Sequence, residues 1–482
     1  MEQRVLGALH PQRVMYYFEE LCRIPHGSRN TKAISDYCVG FARSHGLRWV
    51  QDGVNNVVIY KDGSAGYEDH PPVILQGHLD MVTEKTADSP IDFTKDPLDI
   101  RTDGEFIWAE GTTLGGDDGV AVAYALAILE SDRIAHPPLE AVFTVDEEIG
   151  MDGAEALDVS VLRGRTLINI DSEDEGILTV SCAGGATCCL HLPVEVQPAQ
   201  GSGLHIFVDG LIGGHSGQEI NRGRANANKV MGTLLERLLK RMPYRLVYVR
   251  GGQKDNAIPR SSMAKIIVPE QRVEEARREL EKLADELKRE LPQTETAAEF
   301  ATEVCPCRGS AMSFGSTRKT VGLLCAVPNG VQAMSSDIAG LVQTSLNLGV
   351  LQTDKDGVTM TFSVRSSVGE EKQALIGRLK TCGADFGADY SESGQYPAWE
   401  YRKQSRLRDV MVQTFAELYG REPVVEAIHA GLECGIFSGK IPGLDCVSFG
   451  PDMQDIHTTR EKLNVGSVNR TWEYLLAILK KL

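Results

Sequence analysis

Val73-Ile74-Leu75-Gln76-Gly77-His78-Leu79-Asp80 is the stretch from which the rest of this chain is read. It opens on a short apolar run of the kind found in buried parallel strands, and it ends on an imidazole and a carboxylate. The pattern recurs. Leu139 to Val145 (LEAVFTV) runs into Asp146-Glu147-Glu148, and Thr166 to Ile170 (TLINI) runs into Asp171. Leu444 to Phe449 is strand-like and is followed, after a short loop, by His457. A glycine turn, Gly111-Thr112-Thr113-Leu114-Gly115-Gly116, sets Asp117-Asp118 at the start of an Ala-rich helix from Val120 to Glu130. With helical apolar spacing over 31–45, this alternation predicts an α/β domain: a largely parallel mixed sheet flanked by helices. Ligand sites of open α/β sheets lie outside the carboxyl ends of the strands. Four strands and a helix N-terminus would thus bring His and carboxylate groups to one edge. That donor set suits one or two divalent metals.

The texture changes after Cys182-Ala183-Gly184-Gly185. Strands are predicted at 203–210, 244–250, 320–326, 344–351 and 357–365, and helices at 224–242, 272–291 and near 370–382. Within 272–291, Val273, Ala276, Leu280, Leu283 and Leu287 recur at helical spacing, which predicts a packed stripe beneath a solvated face. The middle of the chain therefore reads as an α+β insertion. Residues 1–184 and 397–482 form the two parts of one catalytic domain, and 185–396 form an inserted lid or dimerisation domain.

The chain has 482 residues, with 50 Lys plus Arg against 67 Asp plus Glu, a net charge of −17. Its 42% hydrophobic content is that of an ordinary globular protein, which excludes collagen-like and disordered classes. No Lys/Arg block could track phosphates, so nucleic acid is not an expected partner. No apolar run approaches the ~18–20 residues of a membrane span. MEQRVLGALHPQR lacks a signal-peptide core, so a cytoplasmic location is expected. Of the eleven cysteines, only Cys188-Cys189 and Cys305-Pro306-Cys307 form close pairs, and both read as buried thiols rather than zinc ligands. No Lys follows Gly115-Gly116, which excludes a P-loop.

His78-Leu79-Asp80, Gly115-Gly116-Asp117-Asp118-Gly119, Glu147-Glu148-Ile149-Gly150-Met151, Asp171-Ser172-Glu173 and Ile456-His457 resemble, in order and spacing, the dinuclear zinc peptidase family M20, and within it the cytosolic Xaa-His dipeptidase (carnosinase-like) branch. Ser181-Cys182-Ala183-Gly184-Gly185, Gly213-Gly214-His215-Ser216-Gly217, Asn256-Ala257-Ile258-Pro259-Arg260, Thr344-Ser345-Leu346-Asn347 and His429-Ala430-Gly431-Leu432-Glu433-Cys434-Gly435 are also similar to that branch. The resemblance runs from about residue 20 to the C-terminus.

The resemblance implies two zinc ions, with Co2+ or Mn2+ as substitutes. His78 and Asp171 would bind one, Glu148 and His457 the other, and Asp117 both. It also implies a cis peptide between Asp117 and Asp118; Asp at 118, where the family often has Asn, would add charge near the metals. Glu147 would be the general base, taking a proton from metal-held water and passing it to the departing amine. Asp80 would orient the His78 imidazole from behind. His215 would stabilise the oxyanion, while Arg365 and Asn256 would hold the carboxylate of a small peptide substrate. Gly431 to Gly435 would be a backbone loop lining the pocket. The implied activity is hydrolysis of dipeptides, Xaa-His or of broad specificity. Tripeptidase and N-acyl-amino-acid deacylase activities share the metal centre. A catalytically inactive peptide-binding homologue is disfavoured, because such a module has no need of Glu147. The resemblance allows a homodimer, with His215 acting in its own subunit or across the dimer.

Overall fold

In the computed structural model, which describes residues 4–482 apart from the side chains of 306–308, Val73–His78 lies inside a mixed sheet. The strand order is Arg48–Gln51, Val57–Lys61, Leu139–Thr144, Val73–His78, Thr166–Asn169, Asp445–Ser448, Ile177–Cys182, Val424–Ile428. The four central strands, from Leu139–Thr144 to Asp445–Ser448, run parallel. Antiparallel pairs flank them. Every residue of Val73–His78 and Leu139–Thr144 is buried, as a sheet covered on both faces requires. Glu140 is tolerated there because the backbone N–H groups of Arg163 and Gly164 donate to its carboxylate.

The helix Gly116–Glu130 is buried on all sides from Val120 to Leu129. It packs so closely on the strand that a Cβ at Gly77 would meet Asp118 Oδ2 at 2.6 Å and Ala121 Cβ at 2.7 Å. Asp117 and Asp118 depart from helical φ/ψ, and the peptide between them is cis. Nearby, Met453–Gln454, Lys462–Asn464, Phe106–Ala109 and Ile100–Thr102 form a small antiparallel sheet.

The chain divides into two units. The first comprises residues 1–182, 401–427 and 432–482, and the second 183–400 and 428–431. The segment Ile428–Gly431 thus counts with the middle of the chain, although the sequence reading grouped it with the C-terminal part.

The second unit is an antiparallel sheet in the order Glu299–Met312, Val196–Asp209, Ser262–Val268, Arg245–Gly251, Val342–Thr353, Gly357–Ser366, Gly184–Pro193, Asp389–Tyr396. Its core joins alternate strand residues such as Leu204, Ile206 and Val208 to apolar stripes of the helices Ala227–Arg241, Val273–Glu290, Phe314–Ala326 and Gly369–Phe386. The stripe of Val273–Glu290 consists of Val273, Ala276, Leu280, Leu283 and Leu287. One expectation fails: 320–326 is helical. Ser313 Oγ accepts the N–H of Ser316 and starts that helix upstream of the apolar run. A seven-residue apolar run alone does not distinguish strand from helix.

The described cysteines are free thiols. Cys188 is buried, whereas Cys189 and Cys305 are half-buried rather than buried as expected. The side chain of Cys307 lies outside the described residues.

Candidate active site

At the carboxyl edge of the parallel strands, three groups of side chains have ligand atoms within 4.8 Å of one another: His78 with Asp118 and Asp171, His78 with Glu147 and Glu148, and Asp117 with Glu148 and His457. Asp117 stands between two imidazoles. Its Oδ1 lies 3.0 Å from His78 Nε2, and its Oδ2 lies 3.0 Å from His457 Nε2. His78 Nε2 is also 3.8 Å from Asp171 Oδ1, and His457 Nε2 is 2.9 Å from Glu148 Oε1. Both imidazoles therefore meet at Asp117, with Asp171 next to Nε2 of His78 and Glu148 next to Nε2 of His457.

Local backbone geometry holds these groups. His457 sits on the turn between Met453–Gln454 and Lys462–Asn464 at φ +60°, and Asp146 precedes Glu147 at φ +57°. Non-glycine residues seldom adopt this left-handed region unless their surroundings enforce it. The imidazole of His78 is oriented by the main-chain carbonyl of Asp80, 2.9 Å from Nδ1. The Asp80 carboxylate, 3.6 Å away, is too distant for that bond. It instead accepts the Ser28 hydroxyl at 2.8 Å and the backbone N–H of Glu147 at 3.0 Å, with that of Glu148 at 3.4 Å. Asp80 thus fastens the loop bearing Glu147 and Glu148 to the strand bearing His78.

Acids outnumber bases here, and their protonation reflects it. Burial pushes Glu147 up to about 8, and the nearby Glu433 and Glu148 charges add to the effect. Asp171 is raised well above the carboxylate range by burial and then by Asp117. Burial likewise raises Asp118 well above the carboxylate range; its Oδ2 accepts the backbone N–H of His78 at 3.2 Å. Burial opposes the charge on Asp117 too, but hydrogen bonds with His457 and His78 outweigh it and hold this carboxyl far below the usual range. His457 is pushed up to about 10 by Asp117 and Glu148.

Two further buried carboxyls escaped the sequence reading. Glu433 opens the helix Glu433–Lys440, so residues 433–435 are not loop. Its Oε2 accepts Gln76 Nε2 at 2.5 Å and Thr144 Oγ1 at 2.7 Å, and burial pushes it up to about 7. Glu461 accepts the backbone N–H groups of Leu114, Gly115 and Gly116. Their signal was weak, since a lone Glu is ordinarily a surface residue.

The remaining predicted residues belong to the second unit. His215 is half-buried, paired with Ala257 across a two-stranded ladder. Its Nδ1 faces the backbone N–H groups of Gly217 and Gln218, each at 3.2 Å, so Nδ1 accepts and Nε2 carries the proton. Asn256 is exposed, and its carbonyl accepts the Ser216 N–H at 2.8 Å. Arg365 is 8% exposed; it faces Ser345 across the ladder and donates to the Tyr396 hydroxyl at 3.0 Å. His429, unassigned from sequence, lies 2.7 Å from Ser345 Oγ through Nε2. Burial and then Arg365 push its pKa down to about 3. Arg365 Nε and His429 Nδ1 are buried without a hydrogen-bond partner.

The profile of peptidase family M20/M25/M40 matches residues 74–481. The chain is 37% identical over 479 residues to the cytosol non-specific dipeptidase of Escherichia coli K12, covering 99% of each protein. The solved aminoacylhistidine dipeptidase from Vibrio alginolyticus superposes with a TM-score of 0.93 at 35% identity, covering 100% of this chain and 98% of that one. Aminopeptidase PepT from Bacillus cereus shares the fold, with a TM-score of 0.57 at 16% identity, over 98% and 99% of the two chains. This chain belongs to peptidase family M20/M25/M40, and its near relatives are dipeptidases.

Proposed function

We propose that this protein is a metal-dependent dipeptidase that binds two zinc ions, with Co2+ or Mn2+ as functional substitutes. The observation that carries the reading is Asp117, one oxygen 3.0 Å from His78 and the other 3.0 Å from His457, with a half-buried glutamate pushed up to about 8 beside it. The donor chemistry fits: imidazole and carboxylate atoms in a surplus of negative groups lack only cations. His78 and Asp171 would hold one ion, Glu148 and His457 the other, and Asp117 both. Bound there, the ions would polarise the scissile carbonyl and acidify a water molecule.

The chain's own residues would do the rest. Glu147, whose proton affinity lies near neutrality, would accept the water's proton and return it to the departing amine. The Asp80 carboxylate would keep the Glu147–Glu148 backbone in place. His215, with its proton on Nε2, would donate to the developing oxyanion. Arg365 and Asn256 would hold the substrate's carboxylate, and the buried unpartnered Arg365 Nε supports that role. One near relative is an aminoacylhistidine dipeptidase and the other a non-specific dipeptidase, so dipeptides of broad sequence are the proposed substrates. A cytoplasmic location follows by analogy with the cytosolic relative. No described helix is long and apolar enough to cross a membrane.

A panel of dipeptides, with N-acetylated and C-amidated controls, run with and without a chelator, tests the reading. Cleavage needing both free termini and bound metal is expected. Turnover confined to acetylated substrates would replace dipeptidase by deacylase, and undiminished turnover after metal removal would end the proposal.

A further inference from the structure

We propose that Glu461 is a positioning residue that clasps the turn bearing Asp117 to the loop bearing His457, and thereby sets the affinity of the metal position shared by Asp117, Glu148 and His457. The inference rests on the two-metal reading above. Glu461 is 3% exposed. Its Oε2 accepts the N–H groups of Leu114 at 2.7 Å and Gly115 at 3.3 Å, and its Oε1 accepts that of Gly116 at 2.8 Å. Successive backbone N–H groups form a concave nest for an acceptor; here the acceptor is a carboxyl side chain from far along the same polypeptide. The three residues lead directly into Asp117, and Gly115 holds φ +70°.

Glu461 and His457 lie on one connection, between Met453–Gln454 and Lys462–Asn464. That connection therefore grips the Asp117 segment at two points, His457 Nε2 on Oδ2 at 3.0 Å and Glu461 on the amides just upstream. Asp455 at φ +50° and His457 at φ +60° place two residues of the loop in the left-handed region, which few non-glycine residues adopt. Glu461, whose N–H donates to Thr458 O at 3.1 Å, anchors its far end. Glutamine cannot substitute, because its NH2 would oppose a backbone N–H, donor against donor.

Glu461→Gln tests this, with Gly116→Ala as an independent route. A Cβ at residue 116 would lie 3.2 Å from Met453 Sδ and 3.3 Å from Glu461 Oε1, so the carboxylate must shift by a few tenths of an ångström to admit it. Glu19→Gln is the control, a buried carboxylate that accepts the N–H groups of Val5 and Leu6 instead. Metal-free proteins are titrated with Co2+, stoichiometry is read by native mass spectrometry and affinity by competition with a chelating dye, and folding is checked by circular dichroism. Wild type and Glu19→Gln should take two ions. Glu461→Gln and Gly116→Ala should keep one near wild-type affinity and bind the second roughly 10–100-fold more weakly. Wild-type affinity at both positions in a folded Glu461→Gln protein overturns the proposal. If that variant does not fold, Gly116→Ala decides by the same criterion. Failure of both to fold at saturating Co2+ also overturns it, by making the clasp a general support of the core. A wild-type protein taking fewer than two ions would sink the two-metal reading itself.

Discussion

In the first unit the buried groups that gather are carboxyls; in the second they are nitrogen bases. Each collection is short of its opposite. Glu147, Asp118 and Asp171 are all pushed upward by burial first; neighbouring carboxylates add to it, Glu433 and Glu148 at Glu147 and Asp117 at the other two, while His78 opposes the shift at all three. In the second unit His429 and His215 are pushed down, by burial first and then by Arg365. A buried group retreats from its charge when its neighbours share its sign. The ligands proposed above have the opposite sign in each case: metal cations at the sheet edge and a substrate carboxylate beside Arg365.

The strongest test of this contrast is Glu147→Ala. Among the acids it alone is assigned a proton-transfer task, so turnover should fall about 10²–10⁴-fold while metal content, measured by plasma mass spectrometry, stays at the wild-type level. Metal loss would move Glu147 among the ligands. Arg365→Ala removes the guanidinium that acts on His429 and His215. It should cost about 1.5–3 kcal/mol of kcat/KM on dipeptides with a free carboxylate, roughly 10–100-fold, and almost nothing on C-amidated ones. An equal loss on both substrates would make Arg365 a structural residue.

Proton release sharpens the picture of the acidic side. Without metal, the His457 imidazolium paired with Asp117 and Glu148 stabilises the fold fully below the ordinary value of 6.5, and that contribution disappears as pH rises through about 10. Ligation needs the neutral ring, so metal uptake at pH 7 should expel this proton, and affinity should climb with pH up to about 10. Calorimetry in two buffers of different ionisation enthalpy measures it; an uptake with no proton released would contradict the His457 pairing. The smallest effect is expected at Glu433. Glu433→Gln keeps an acceptor for Gln76 and Thr144 and should leave thermal stability almost unchanged. Glu433→Ala removes the shorter acceptor of each donor, leaving Gln76 Nε2 only Thr144 Oγ1 at 3.3 Å and Thr144 Oγ1 only Gly77 O at 3.4 Å, and should cost about 1 kcal/mol in a denaturant titration.

The sequence made the sheet edge legible because each parallel strand is a short apolar run that stops at a charge. A residue such as His78 or Asp171 is conspicuous where Val and Leu end. The helix Val273–Glu290 was equally plain, its five-residue stripe repeating at helical spacing under a charged face. The run at 320–326 was not, since its helix begins at a serine cap outside the run. Glu461 and Glu433 were invisible for a different reason. Their partners are backbone amides or neutral side chains more than 280 positions away, and no local pattern records such pairing. Asp80 was found as a neighbour of the His78 imidazole, 3.6 Å from Nδ1, but its second hold, on the 147–148 backbone, was not legible.

The place of Asp445–Ser448 has a consequence for biosynthesis. This strand lies between Thr166–Asn169 and Ile177–Cys182, two strands translated more than 260 residues before it. Until it arrives, the emerging polypeptide carries a sheet with an open slot and two unpaired hydrogen-bonding rims, the kind of template that recruits foreign strands. The intervening residues can collapse onto their own core meanwhile, but the earlier ones must wait for a partner made more than 260 residues later. Loss of Asp445–Ser448 would therefore damage the earlier strands of the first unit before the middle of the chain.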